Sequence, residues 1–201
     1  MKEERPPPSA EDAAALSRLA REHQLAGRPR AALKLWDRVL RLGGATADVL
    51  RFTGDALVAV GEYAQALGAY RHGLGLDDGR ADLHHGLGRA LYRLGETDEA
   101  ARELETAIGL GAGLASWLSL SAILPGCPGA DAQRVLEVRS ACVSVLAEAF
   151  GPIPADTTRR ARRSGPVHVG YISAFFDREN YMKPVWGLLN GHDRSAVRVH
   201  L

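Results

Sequence analysis

The chain is poor in the features that would place it quickly. Among its 201 residues there are only two cysteines, Cys127 and Cys142. They are too far apart for a C-x-x-C metal or redox site, and nothing points to an oxidising compartment, so they read as two buried thiols rather than a disulfide. An excess of one charge is also missing. With 25 basic against 24 acidic residues the formal net charge is +1, which supplies no electrostatic reason to expect nucleic acid or a membrane surface as partner. There is no run of ~18 apolar residues that would span a bilayer. The opening stretch, MKEERPPPSAED, lacks the apolar core of a secretory leader, so a cytoplasmic location is expected. What is present is an ordinary globular composition, 46% hydrophobic and 24% charged, in a length that suits one or two domains.

Residues 47–110 carry the same pattern twice, 34 residues apart: Gly54, Leu57, Gly61, Ala66 and Leu76 return as Gly88, Leu91, Gly95, Ala100 and Leu110. A fixed period of this size marks an array of stacked helical pairs. Its spelling resembles the tetratricopeptide repeat (TPR). That family has a small residue at position 8, an apolar one at 11, Gly at 15, Ala at 20, a large residue at 24 and a small one at 27. Gly54, Leu57, Gly61, Ala66, Tyr70 and Gly73 fit, as do Gly88, Leu91, Gly95, Ala100, Leu104 and Ala107. A weaker copy precedes them with Ala20, Gly27, Ala32, Trp36 and Val39, and departs at position 11 with His23. The repeats are therefore 13–46, 47–80 and 81–114. Small residues at 8 and 20 let paired helices approach, and the residue at 24 fills the gap to the next repeat.

Around the repeats, residues 1–12 read as a disordered tail with three consecutive prolines, closed by a capping pair of Ser9 and Asp12. Turns are expected at 27–29, 43–44, 61–62, 77–79 and 95–96. Residues 115–150 read as capping or connector helices. The first stops near Leu124 because Pro125 follows, and the second, over 131–150, presents Val135, Leu136, Val138, Cys142, Val145, Leu146 and Phe150 as an apolar face. Residues 151–165 form an Arg-rich linker, whose Arg159, Arg160, Arg162 and Arg163 read as solvated rather than as a nucleic-acid or lipid patch. From 166 to 201 the pattern turns to strand (167–173), helix (182–189) and strand (196–201). This is a βαβ unit, expected to be parallel and too small to stand as a domain.

The stretches HVGYIS (168–173) and MKPVWGLLNGHDRS (182–195), after a connector containing LPGCPGAD and the Arg-rich linker, resemble the start of the catalytic region in TPR-containing protein O-GlcNAc transferases of the bacterial, SPINDLY-like type. That resemblance implies a mainly α fold: a TPR superhelix of three repeats with capping helices, followed by a truncated βαβ unit, the incomplete start of a Rossmann-like GT-B glycosyltransferase lobe. It implies transfer of a sugar from a nucleotide sugar, UDP-GlcNAc, to Ser or Thr of proteins. The family's histidine after the first strand has no counterpart in Phe175-Phe176-Asp177-Arg178-Glu179-Asn180, so no catalytic residue is carried over. The groove asparagines of well-studied members are missing too, since Asn180 and Asn190 lie outside the repeats. With no donor-binding lobe in these residues, this chain by itself is expected to be inactive. The alternative is a freestanding TPR adaptor with a vestigial C-terminal stub.

In TPR arrays positions 2, 5, 9, 12 and 13 face the groove. They select Arg21 and Gln24, then Asp48, Arg51 and Asp55, then Asp82, His85, Arg89, Tyr92 and Arg93. Arg51, Asp55, His85, Arg89, Tyr92 and Arg93 form the expected partner-binding set for a protein or peptide, with Arg89 and Arg93 placed to grip an acidic segment. A chaperone-type carboxylate clamp would need asparagines that this groove lacks. No metal or cofactor is expected. His84 and His85 point about 100° apart on a helix. His168 and His200 read as strand surface residues, and His192 and Asp193 as a helix-to-strand loop. Residues 173–180 contain no glycine for a phosphate loop. Oligomeric state is left open.

Overall fold

The computed structural model describes residues 10–151, 167–170, 193 and 195–200. The chain divides into two units, Met1–Ile153 and Pro154–Leu201.

The first unit is helical among its described residues: α1 (Ala10–Leu25), α2 (Pro29–Arg41), α3 (Ala47–Val60), α4 (Tyr63–Leu76), α5 (Ala81–Leu94), α6 (Thr97–Gly109), α7 (Leu114–Ile123) and α8 (Ala132–Phe150). The turns fall where glycine and proline put them. Gly61 and Gly95 close α3 and α5 in the left-handed region (φ 90° and 89°), which lets the next amide return to Leu57 O and Leu91 O. Each helix packs on the next, and α1 with α3, α3 with α5 and α5 with α7 also touch. The odd-numbered helices therefore sit on the inside of the curve of a TPR-type superhelix.

The packing follows the repeat positions. Tyr70 of α4 is 1% exposed and enters between α3 and α5. A Cβ at Gly54 would lie 2.5 Å from its ring, and one at Gly86 would lie 2.6 Å away. Trp36 occupies the equivalent place in the first repeat and stacks on Phe52 at 5.6 Å, while Leu104 occupies it in the third. Each such side chain contributes roughly 1.5–3 kcal/mol by leaving water. His23, standing where the later repeats bury Leu57 and Leu91, keeps a buried Nδ1 without a hydrogen-bond partner among the described residues.

α7 stops at Ile123 and passes into a short 3-10 turn, Leu124–Gly126, as Pro125 requires. Leu120, Ile123, Leu124 and Cys127 cover Ala101 and Leu104 of α6. α8 is capped by Asp131, whose Oδ1 accepts from Arg134 N at 2.7 Å. Its apolar face is narrower than the sequence pattern suggested. Cys142 is buried, but Leu136, Val143 and Phe150 are 60%, 56% and 79% exposed. α8 packs on α7 and the 3-10 turn, with Arg134 reaching Glu105 of α6, and it turns inward the stripe of Val135, Val138 and Cys142. Cys127 and Cys142 are both free and buried. α1 already begins at Ala10, so residues 10–12, read as the end of a tail, form its first turn. Residues 1–8, the Ser9 cap and the linker arginines lie outside the described residues.

In the second unit β1 (Val167–Gly170) and β2 (Val197–His200) pair in parallel, with His168 opposite Arg198 and Gly170 opposite His200. The expected helix over 182–189 and the strand ends at 171–173 and 201 lie outside the described residues. Asp193 builds the turn into β2. Its carboxylate accepts from Ser195 N at 2.9 Å and from Ser195 Oγ at 2.6 Å, and these bonds hold it below the usual carboxylate range. That is an Asx-type turn role. His192 lies outside the described residues.

Candidate functional site

The odd-numbered helices line three adjoining hollows that share Ala59 of α3. The first, about 310 Å³, lies between α1 and α3 and is edged by Arg21, Gln24, Leu25 and Phe52. The second, about 370 Å³, holds Arg51, Asp55, Tyr70, Asp82, His85 and Arg89. The third, about 500 Å³, runs from Val58 and Tyr63 past Arg89, Tyr92 and Arg93 to Ser119 and Ile123. Together they form one groove along the inner face.

Its middle is closed upon itself. Arg51 lies flat on Phe52 at 3.8 Å, with its Nη1 2.8 Å from Asp55 and its Nε 2.8 Å from Asp82. The Nε contact lies off the N–H direction and is an ion pair rather than a hydrogen bond. Arg80 joins Asp48 and Asp82 at 2.7 and 2.8 Å. Its hydrogen bond to Asp82 holds that carboxyl below the ordinary range. Tyr70 donates its hydroxyl to Asp55 at 2.8 Å. Burial, reinforced by the Asp55 charge, pushes the phenol far above its ordinary value, so it stays protonated. This chain of partners ties α3, α4 and α5 together, which places Arg51 and Asp55 of the expected binding set in the framework of the groove.

The end toward α7 is different. His85 makes a 2.8 Å contact from Nδ1 to Ser116 Oγ, and burial, with the Arg89 charge adding to it, lowers its pKa. Arg93 donates from Nε to Tyr63 Oη at 3.1 Å and rests over that ring at 5.4 Å. Tyr92 is 45% exposed. Among the described residues neither Arg89 nor Arg93 is paired with a carboxylate. The six expected residues thus lie on one face but fall into two groups.

Sequence reasoning missed Tyr63, Ser116 and Ser119, which come from outside the selected positions; no local pattern marks a tyrosine at the start of α4 as a support for Arg93. It also placed Gln24 among the groove-facing positions. Gln24 bridges Trp36 Nε1 (2.9 Å) and Phe52 O (3.0 Å), fastening α1 to its neighbours. No group of three His, Cys, Asp or Glu able to hold a metal occurs among the described residues, and no described helix is long and apolar enough to cross a membrane.

Tetratricopeptide-repeat profiles match residues 17–81 and 57–124, so this stretch is a tetratricopeptide-repeat array. No curated protein matches the chain by sequence. Solved structures share its fold. The first TPR of RPAP3 (Spaghetti), bound to an HSP90 peptide, is 14% identical over 61% of this chain and 98% of its own, with a TM-score of 0.56. MamA from Desulfovibrio magneticus RS-1 is 15% identical over 70% of this chain and 79% of its own, with a TM-score of 0.64. A mutant O-GlcNAc transferase from Thermobaculum terrenum is 23% identical over 94% of this chain but only 36% of its own, with a TM-score of 0.68.

Proposed function

We propose that the groove receives a peptide segment of a protein partner, and that the chain is the N-terminal region of a protein O-GlcNAc transferase-like glycosyltransferase. The observation that carries the second part is coverage. MamA and RPAP3 match 70% and 61% of the chain, whereas the helical unit up to Ile153 is about three quarters of it. The transferase match reaches 94%, beyond what that unit alone supplies. The parallel β1–β2 pair suits the opening of a Rossmann-like lobe, because parallel strands need a crossover connection. In this reading the repeats select the protein to be modified in the cytoplasm, and the sugar donor is held by parts of the enzyme other than these repeats. A near-neutral chain favours a protein partner over nucleic acid or a membrane surface.

The well-formed groove also favours a second reading, a freestanding TPR adaptor, since RPAP3's first TPR is covered almost entirely. Sequencing the transcript past the Leu201 codon separates them. A second Rossmann-like lobe supports the transferase, and an immediate stop supports the adaptor. The peptide-binding part is tested by panning a random displayed-peptide library on the chain, where enriched peptides are expected to lose binding to the Tyr92→Ala variant.

A further inference from the structure

Resting on the peptide-groove reading, we infer that the partner segment is acidic. Its carboxylates are received at the α5–α7 end by Arg89 and Arg93, with an apolar side chain beside them over Val58, Ala59 and Ile123.

The charges of the groove carry this assignment. At the α3–α5 crossing, Arg51 and Arg80 are consumed by Asp48, Asp55 and Asp82, and a partner placed there would have to break pairs of 2.7–2.8 Å. Arg89 and Arg93, one helical turn apart on α5, repel each other at that spacing, and among the described residues neither is ion-paired with a carboxylate, although Arg89 shares the second hollow with Asp55 and Asp82. Tyr63 takes only the Nε of Arg93, which leaves its terminal nitrogens for a ligand and fixes the direction of the fork. Planar guanidinium groups match carboxylates through paired N–H donors, so two of them on one edge of a hollow define an acceptor-seeking site.

The hollow itself sets the second requirement. Its volume of about 500 Å³ is lined by Val58, Ala59, Ala122 and Ile123 beneath the two arginines, and Tyr92 stands half-exposed at its rim. A side chain entering it leaves water against apolar atoms while the neighbouring carboxylate meets a guanidinium. Aromatic and arginine side chains around a desolvated pocket are the composition of an interface hot spot. A polyanion such as nucleic acid would have to run on into the Asp48, Asp55 and Asp82 cluster, which opposes it. A short acidic segment ends before that cluster.

The same displayed-peptide panning tests the inference. Enriched peptides are expected to place Asp or Glu next to Leu, Ile or Val. A fluorescently labelled synthetic copy is then compared with its Asn/Gln counterpart by anisotropy. The amide version is expected to bind at least about tenfold more weakly, Arg89→Ala and Arg93→Ala to weaken the acidic peptide about tenfold each, and added salt to weaken it further. Both arginines are exposed, so these variants keep the fold. Enriched peptides that need Tyr92 but contain no acidic residue, or that bind equally well as amides, would overturn the acidic assignment and leave the groove reading standing. If no enriched peptide is sensitive to Tyr92→Ala, both fail.

Discussion

Arg51 and Arg89 are the same residue type on the inner face of neighbouring repeats, yet their neighbours give them opposite roles. Arg51 is held between Asp55 and Asp82, and Arg89 has no such pair among the described residues. His85, beside Arg89, shows how such surroundings reach stability. An ordinary imidazole titrates near 6.5, and burial lowers this value in the folded protein. Below 6.5 the unfolded chain therefore takes up a proton that the folded chain resists, so the contribution of His85 is complete above that pH and is lost as the pH falls beneath it. Urea unfolding at neutral pH and at pH about 5 should show a stability loss that is smaller in His85→Gln. Equal losses would mean that His85 does not carry the effect. Glutamine is chosen because it can keep a hydrogen bond to Ser116.

Between helices, the decisive object is the ring of Tyr70. It lies where α3, α4 and α5 meet, and it fits because Gly54 and Gly86 present no Cβ. Alanine is the better helix former by about 1 kcal/mol, so Gly86→Ala on an exposed helix would stabilise. Here the new methyl would sit 2.6 Å from a ring that cannot swing aside, and overpacking of this kind costs roughly 1–3 kcal/mol or more. The expected result is a net loss of about 1–2 kcal/mol in thermal or urea unfolding. In a Tyr70→Leu background the same change should be neutral or favourable, a coupling that a double-mutant cycle measures. The repeat spelling made the large residue of α4 legible in the sequence. That its partner in the next repeat is Gly86 was not, because position 6 holds Phe52, Gly86 and Leu120 in succession.

For the helical unit as a whole, stability is shared between neighbours rather than gathered in one core. The central cluster of Leu57, Tyr70, Leu83, Leu87 and Leu91 is covered on both sides, whereas α1 and α8 each leave apolar residues in water, Leu19 and Leu25 at one end and Leu136, Val143 and Phe150 at the other. Native-state hydrogen exchange is expected to be slowest in α3–α5 and faster in α1 and α8, as in a quasi-one-dimensional array. Uniform protection from α1 to α8 would contradict it. The 34-residue period, the turn residues and Pro125 determined by themselves that the chain forms stacked helical pairs and where α7 stops, because helix periodicity and backbone sterics are local. Which groove residues are open to a partner was decided only by the tertiary structure. Arg51 is closed by Asp82, His85 is held by Ser116 and Gln24 by Trp36, and each of these ties joins residues of different helices. Charge compensation and hydrogen bonding between helices depend on distance in space, which spacing within one helix does not encode.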